Sequence, residues 1–386
     1  MYPTTQPIYL DHAATTPVRP EVAEAMAATL AEDFGNPSSG HAWGRRARRR
    51  LEDARLTLAV SLGVPADRVF FTRGGTESDN LAVLGRVRHD LARGIRPHVV
   101  TSAIEHPAVA EAAERAAREG AAHTVIGFDR GGLDLDALEA ALGTRPSVVS
   151  CMWVNNEVGL VLPVVEIAAA CRRHGVPLHS DAVQAVGKLP VDWGGVPVDL
   201  LTLTGHKIYG PKGAGALIAR DFRTVGPLHF GGGQERGLRP GTEDVAGAVG
   251  LAEAVRLAVA ETPPESARLG ALRDEVEAGL LSRIPGSRVN AGGMTRAPHI
   301  LSLGVPGTDS DTLLAALDAA GIAASGGSAC ASGSSAPSRT LAALHPDGRA
   351  ASLRLSFGRL TRSRDAGPIV RTVAEAVERT RALVAS

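Results

Sequence analysis

Residues 198–219 read VDLLTLTGHKIYGPKGAGALIA. Two apolar runs, VDLLTLT (198–204) and GALIA (215–219), bracket a turn rich in glycine and proline, and Lys207 stands just past the end of the first run. Five other runs share this character: RVFFT (68–72), HVVTSAI (98–104), HTVIGF (123–128), SVVSCMWV (147–154) and VPLHSD (176–181). Alanine-rich helical stretches separate them. Strands that are apolar throughout, alternating with helices, predict an α/β fold whose mostly parallel sheet is covered on both faces. In such a sheet function is expected at the carboxyl ends of the strands, where Lys207 lies.

The 386 residues are enough for a large core and, at roughly 100–200 residues per domain, for two or three domains. Aromatic residues make up only 3%, so Ala, Val, Leu and Ile must fill that core and few rings are left to stack on bases. Forty-one basic and forty-one acidic side chains cancel, which argues against a phosphate polymer as the main ligand. A small substrate is expected. No apolar stretch approaches the ~20 residues that cross a bilayer, and the first ten residues lack a basic region followed by an apolar one, so the cytoplasm is the expected location. Cysteines stand at 151, 171 and 330, an odd number with no CxxC pair, so no disulfide framework is expected.

A boundary is expected at ETPPES (261–266): Thr262 can cap a new helix, Pro263 and Pro264 suit its first turn, and Glu265 completes a capping box. The smaller unit that follows contains HILSLGV and SLRLSFG as strand patterns and a low-complexity loop, SGGSACASGSSAPS (325–338). No internal repeat is present. In WGRRARRRLEDAR, Ala47, Leu51, Ala54 and Leu58 share one helical face and the arginines the others, which reads as a solvated face or as a dock for an acidic partner or tRNA.

Several catalytic signatures are missing, among them GxxxxGK[ST], HExxH and GxSxG. What remains are polar residues at strand ends. FFTRGGTESDNLAVLG (70–85) reads as strand, turn and helix; the N–H groups of Gly75 and Thr76 can seat a phosphate there, or the glycines can simply make a tight turn. Asp181 closes another strand, with Gln184 one turn on, and pairs in kind with Lys207, as an ion pair or as something more. A phosphate seat, an acid and a lysine together suit pyridoxal 5′-phosphate: its aldehyde condenses with an amine, its ring nitrogen keeps a proton beside a carboxylate, and its phosphate takes backbone amides and hydroxyls. His106 could stack on the ring or be structural. Asn156 could reach the phenolic oxygen or be a turn residue, with Asn155 competing for the role.

These residues resemble a known family. YLDHAATTP, GGTESDN, EHPAV, VNNEVG, HSDAVQAVGKLPVD, TGHKIYGPKG, GGGQERGLRPGTE, SGGSAC and LRLSFGR follow in order the motifs of the cysteine desulfurases, class V aminotransferases of fold type I, from residue 8 to about 360. The resemblance implies a seven-stranded, mostly parallel sheet in a large pyridoxal-phosphate domain (16–261) and a smaller α+β domain (1–15 and 262–386). The smaller domain would carry a mobile loop, about 325–338, of the long-loop branch.

It implies that Lys207 carries the cofactor, Asp181 pairs with its ring nitrogen, and His106 stacks over it. Gln184 and Asn156 would reach the phenolic oxygen. Thr76, Thr204, His206 and the Gly75 amide would hold the phosphate, with Thr242 arriving from the other subunit of a homodimer. Arg354, with Asn156, would bind the substrate carboxylate.

L-cysteine would become L-alanine, with the sulfur left on Cys330 as a persulfide; Lys207, His106 and Cys330 would be the catalytic residues. Cys151 and Cys171 read as buried hydrophobes. The sulfur would pass to an acceptor protein for iron–sulfur cluster assembly, tRNA thiolation or another sulfur modification, and Cys330 would help to ligate a transient cluster on such a partner. No metal site and no membrane association are implied. Trp153 departs from the family's more usual histidine before VNN, and SSAPSRT lacks an acid common before its Pro-Ser. Rival readings are a selenocysteine lyase or an aminotransferase on the same scaffold, or a non-catalytic sulfur-relay subunit.

Overall fold

The structure, a computed structural model, describes residues 7–129, 132–327, 338–345 and 351–384. Cys330 and most of the 325–338 loop lie outside the described residues. In chain order the strands are β1 (Ile8–Tyr9), β2 (Val69–Thr72), β3 (His98–Ser102), β4 (Ala122–Ile126), β5 (Phe128–Asp129), β6 (Gly132–Leu133), β7 (Val148–Ser150), β8 (Leu178–Asp181), β9 (Leu200–Thr204), β10 (Gly215–Ala219), β11 (Arg288–Val289), β12 (Ile300–Val305), β13 (Ile322–Ala323) and β14 (Ala351–Ser356). The helices are α1 (Pro20–Glu32), α2 (Ala42–Leu62), α3 (Gly75–Ala92), α4 (Pro107–Arg118), α5 (Leu135–Leu142), α6 (Val164–His174), α7 (Val245–Arg283), α8 (Ser310–Ala319), α9 (Arg339–Leu344) and α10 (Ala366–Val384).

All seven apolar runs form strands of one sheet, in the order β2-β10-β9-β8-β7-β3-β4. From β9 to β4 the strands are parallel; β10 runs antiparallel to both β9 and β2. Every residue of β8, β9 and β10 is buried, as expected of strands with helices on both faces, whereas edge strand β4 exposes Ala122 and Val125. No helix of the described residues is long and apolar enough to cross a membrane.

A second core forms around the antiparallel sheet β11-β12-β14. Leu301 and Leu303 of β12, Leu353 and Leu355 of β14, Leu272 and Val276 of α7, and Ile369 and Val373 of α10 are buried together there. Each fully buried side chain of this kind contributes about 1.5–3 kcal/mol. The N-terminal segment joins this core: Leu10 is part of it, β1 pairs with β13, and the Ser356 N–H donates to the Leu10 carbonyl at 2.7 Å.

The expected helix start at Thr262 is overturned. α7 runs unbroken for 39 residues with Pro263 and Pro264 inside it, and the Thr262 hydroxyl, instead of capping, donates to the Ala258 carbonyl one turn back at 2.7 Å. A proline within a helix costs ~3 kcal/mol through a lost hydrogen bond and a clash. Here both prolines are exposed, so water can reach the freed carbonyls, and burial at both ends of α7 outweighs the local penalty. At 1.5 Å per residue the helix spans about 58 Å and ties the two cores together.

Candidate active site

At the carboxyl end of β9 the chain enters a short 3-10 turn, Gly205–Lys207. Lys207 Nζ donates to the Ala13 and Ala14 carbonyls, the first at 2.8 Å. Two residues on, Tyr209 adopts a left-handed φ of 64°, a conformation that costs a bulky residue of order 1–3 kcal/mol. It is held there by the Thr16 hydroxyl, which accepts the Tyr209 N–H at 2.7 Å, and by the Arg359 N–H, which donates to the phenol at 2.7 Å. The lysine is therefore fixed between its strand and the N-terminal segment.

Asp181 ends the adjacent strand β8 and is only 5% exposed. Its Oδ1 accepts the Val183 N–H at 2.8 Å. Burial raises its carboxyl, while the nearby His106 and Lys207 pull it back toward the ionised form. Two more buried acids surround it. Asp79 on α3 is pushed well up by burial and by Asp181. Glu105 is pushed up to about 8, chiefly by burial; its Oε1 accepts the Ser102 hydroxyl and the Met152 N–H, while Oε2 has no partner.

The turn from β2 into α3 supplies the anion seat. Gly74 has φ 142°, open in practice only to glycine, and no side chain caps the helix that begins at Gly75. A Cβ on Gly215 of β10 would stand 2.6 Å from the Gly74 Cα, so both positions need glycine for the turn to lie against the sheet. The first amides of α3 are thus available to an anion. Thr76 is exposed in this first turn, and the Thr204 hydroxyl, 3.8 Å from where a Gly74 Cβ would be, donates to the Ala214 carbonyl at 3.1 Å. His206 Nδ1 meets the Thr15 hydroxyl at 3.2 Å and is pushed down to about 4 by burial and by Lys207 and Lys212. Thr242 is exposed; on the same segment Arg239 pairs with Glu77 and Asp244 with Arg73, both at this turn.

His106 follows β3 and caps α4, its Nδ1 accepting the Ala108 N–H at 3.1 Å, which leaves the proton of a neutral ring on Nε2. Asn155 is the turn residue: fully buried, its side chain donates to the Ile104 carbonyl and the Thr340 hydroxyl and accepts the Glu157 and Val158 N–H groups. Asn156 is half-buried, and its carbonyl accepts from Arg354 Nη1 at 2.8 Å. Gln184 donates to the Ala13 carbonyl at 2.8 Å, and its Oε1 lies 3.1 Å from His299 Nε2. Arg354, on β14, is 1% exposed; Nη1 also reaches the Gly327 carbonyl, Nη2 reaches Asp11 at 2.8 Å, and Nε has no partner.

An aminotransferase class-V family model matches residues 8–366. The chain belongs to the class-V aminotransferase family. An IscS-like cysteine desulfurase of Mycobacterium tuberculosis is 44% identical over 383 residues, covering 97% of each chain. Among solved structures, a NifS-like protein superposes with a TM-score of 0.89 at 31% identity, covering 97% of this chain and 100% of its own. SspA in complex with cysteine gives a TM-score of 0.77 at 32% identity over 90% of this chain and 98% of its own.

Four acids went unremarked in the sequence although each lies inside a quoted motif: Asp11, Asp79, Glu105 and Glu157. Glu157 accepts from the Ser338 hydroxyl and is raised by burial. Their neighbours marked the motifs, but nothing in the spacing reveals which distant group each one meets. Trp153 is buried against Trp193, ring centres 4.9 Å apart, so the position that departs from the family pattern is filled as core. Cys151 and Cys171 are buried and burial raises both thiols, which makes them poor nucleophiles. Arg46 pairs with Glu32 and Asp33, so part of the arginine-rich face of α2 is neutralised within the chain.

Proposed function

We propose that the chain is a pyridoxal-phosphate-dependent cysteine desulfurase that converts L-cysteine to L-alanine and takes the sulfur onto Cys330. The observation that carries this reading is the meeting of the Lys207 amine, the buried Asp181 carboxylate and the uncapped start of α3 at the ends of β9, β8 and β2. The donor set suits pyridoxal phosphate: an amine for the aldehyde, a carboxylate whose second oxygen is not taken by Val183, and free amides beside threonines for the phosphate. Bound there, the cofactor supplies an aldehyde for an amino group and an electron sink for the α-carbon.

The protein's part follows from its own atoms. Asp181 keeps a proton on the ring nitrogen. The first amides of α3 with Thr76, Thr204, neutral His206 and the partner subunit's Thr242 would hold the phosphate, Gln184 and Asn156 would reach the phenolic oxygen, and His106 would stack on the ring. Arg354 binds the α-carboxylate. Lys207 takes the α-proton and His106 carries protons to and from the reacting centre. The Cys330 thiolate attacks the substrate sulfur; an S–S bond forms, the C–S bond breaks, and its electron pair stays with carbon, which is then protonated to give alanine. SspA, similar in sequence and structure, was solved with cysteine, which supports this choice of substrate.

In this reading residues 16–261 form the cofactor unit, and residues 1–15 with 262–386 the unit bearing Cys330. The second core, which takes in Leu10, supports that division. The chain works as a homodimer in the cytoplasm and hands sulfur to an acceptor protein for cluster assembly or tRNA thiolation.

The test is to incubate the cofactor-loaded protein with sulfur-labelled L-cysteine, quantify alanine and map the label by mass spectrometry. Equal alanine and label on Cys330 are expected, and Cys330→Ala should lose sulfur transfer while keeping the cofactor's visible absorbance. A Cys330→Ala variant with undiminished turnover would mark an aminotransferase instead, and no alanine from loaded wild type would mark a relay subunit.

A further inference from the structure

A guanidinium presents five N–H donors in one plane. In Arg354, Nη1 points both of its donors at backbone carbonyls, Asn156 at 2.8 Å and Gly327 at 2.9 Å. Nη2 meets a single carboxylate oxygen, Asp11 Oδ1, at 2.8 Å, and the buried Nε has no partner. One end of the fork is thus fixed by the backbone, while the Nε–Nη2 edge, suited to a two-oxygen anion, is held by one oxygen of a side chain.

The two partners differ in access: the Arg354 side chain is 1% exposed, that of Asp11 21%. The backbone of Asp11 is pinned, since it bridges Ser356 and its carbonyl accepts the Ala14 N–H at 3.0 Å and the Tyr9 hydroxyl at 3.1 Å. Only the side chain has to turn for the Nε–Nη2 edge to open.

We propose that Asp11 is a specificity-determining residue that holds, in the substrate-free protein, the place on Arg354 that the α-carboxylate of the amino-acid substrate takes. The proposal rests on Arg354 being the carboxylate clamp. Binding then exchanges one carboxylate for another, and the buried cation keeps a counter-charge before and after. A thiol amine without a carboxylate, such as cysteamine, has nothing to exchange and is refused.

The test uses cofactor-loaded wild type, Asp11→Asn and Asp11→Ser, with KM for L-cysteine from alanine formation and Kd for L-alanine from calorimetry. Both constants should fall threefold or more in each variant that folds, a gain in affinity that mere loss of support for Arg354 would not produce. Unchanged or raised constants overturn the proposal, because Asp11 then only steadies the arginine. Arg354→Gln and Arg354→Lys separate the two readings. If either binds L-alanine as tightly as wild type, the clamp itself has failed and the proposal with it; if both bind weakly while the Asp11 variants gain nothing, the clamp stands and the exchange falls.

Discussion

Asp181, Lys207 and the Gly74–Gly75 turn stand at the ends of three strands of one sheet, whereas Arg354, Asp11 and Asn156 come from three distant segments; 343 residues separate Asp11 from Arg354. The first group is placed by the pleat and order of buried strands. The second exists only because the N-terminal segment docks onto β13 and β14 and brings Asp11 beside the arginine. One end of the site is thus local geometry repeated along a sheet edge, and the other is an assembly of parts. Changes at the strand ends should remove chemistry, and changes in the assembled pocket should alter affinity and stability.

The sharpest way to break this contrast is Lys207→Ala. Alanine formation should drop about 10³-fold or more, since the nucleophile and proton carrier is gone, while a circular-dichroism melt stays close to wild type. Asp181→Asn keeps the shape but removes the charge; turnover should fall about 10²-fold, read as kcat from alanine release. If either variant instead changed KM alone, the strand-end group would be a binding device and the contrast would fail.

In the assembled half, Leu355→Ala opens a cavity in the second core and should cost about 2–5 kcal/mol, measured by urea unfolding, and should raise KM for cysteine more than it weakens cofactor binding.

A smaller effect is expected of Glu105→Gln. The Glu105 carboxyl is pushed up from 4.5 to about 8 in the folded protein, so the folded state favours its protonated form. The stability this lends is full below about pH 4.5 and is lost as pH rises through 8. Thermal melts should show the wild type losing ground to Glu105→Gln across that window; a constant difference would mean that the acid is ionised throughout. Smallest of all, Arg46→Ala removes an exposed arginine from its pairs with Glu32 and the half-buried Asp33 and should leave alanine formation and melting temperature almost unchanged.

Much of this was legible in the residues. The central strands could be read because they are buried on both faces and so carry unbroken apolar runs, and edge strand β4, which exposes Ala122 and Val125, still shows an apolar run in TVI. The strand-end groups followed, since a residue just past such a run must sit at the sheet's carboxyl edge. The Pro263–Pro264 pair misled because local propensity favours a helix start there, while the two cores that α7 joins lie far apart in sequence. Likewise Asn155 and Asn156 are chemically identical neighbours; only the packing of Asn155 against Ile104 and Thr340 decides which one turns the chain.

The sequence by itself determined the parallel sheet, the lysine and aspartate at its edge, and the family, because these depend on order and local pattern along the chain. Tertiary structure alone decided that Asp11 meets Arg354, that three acids share one buried neighbourhood around Asp181, and that one helix spans both cores. The physical reason is range: strand and turn preferences act over a few residues, whereas a buried charge takes its partner from whatever segment packing brings within about 3 Å, at any separation along the chain.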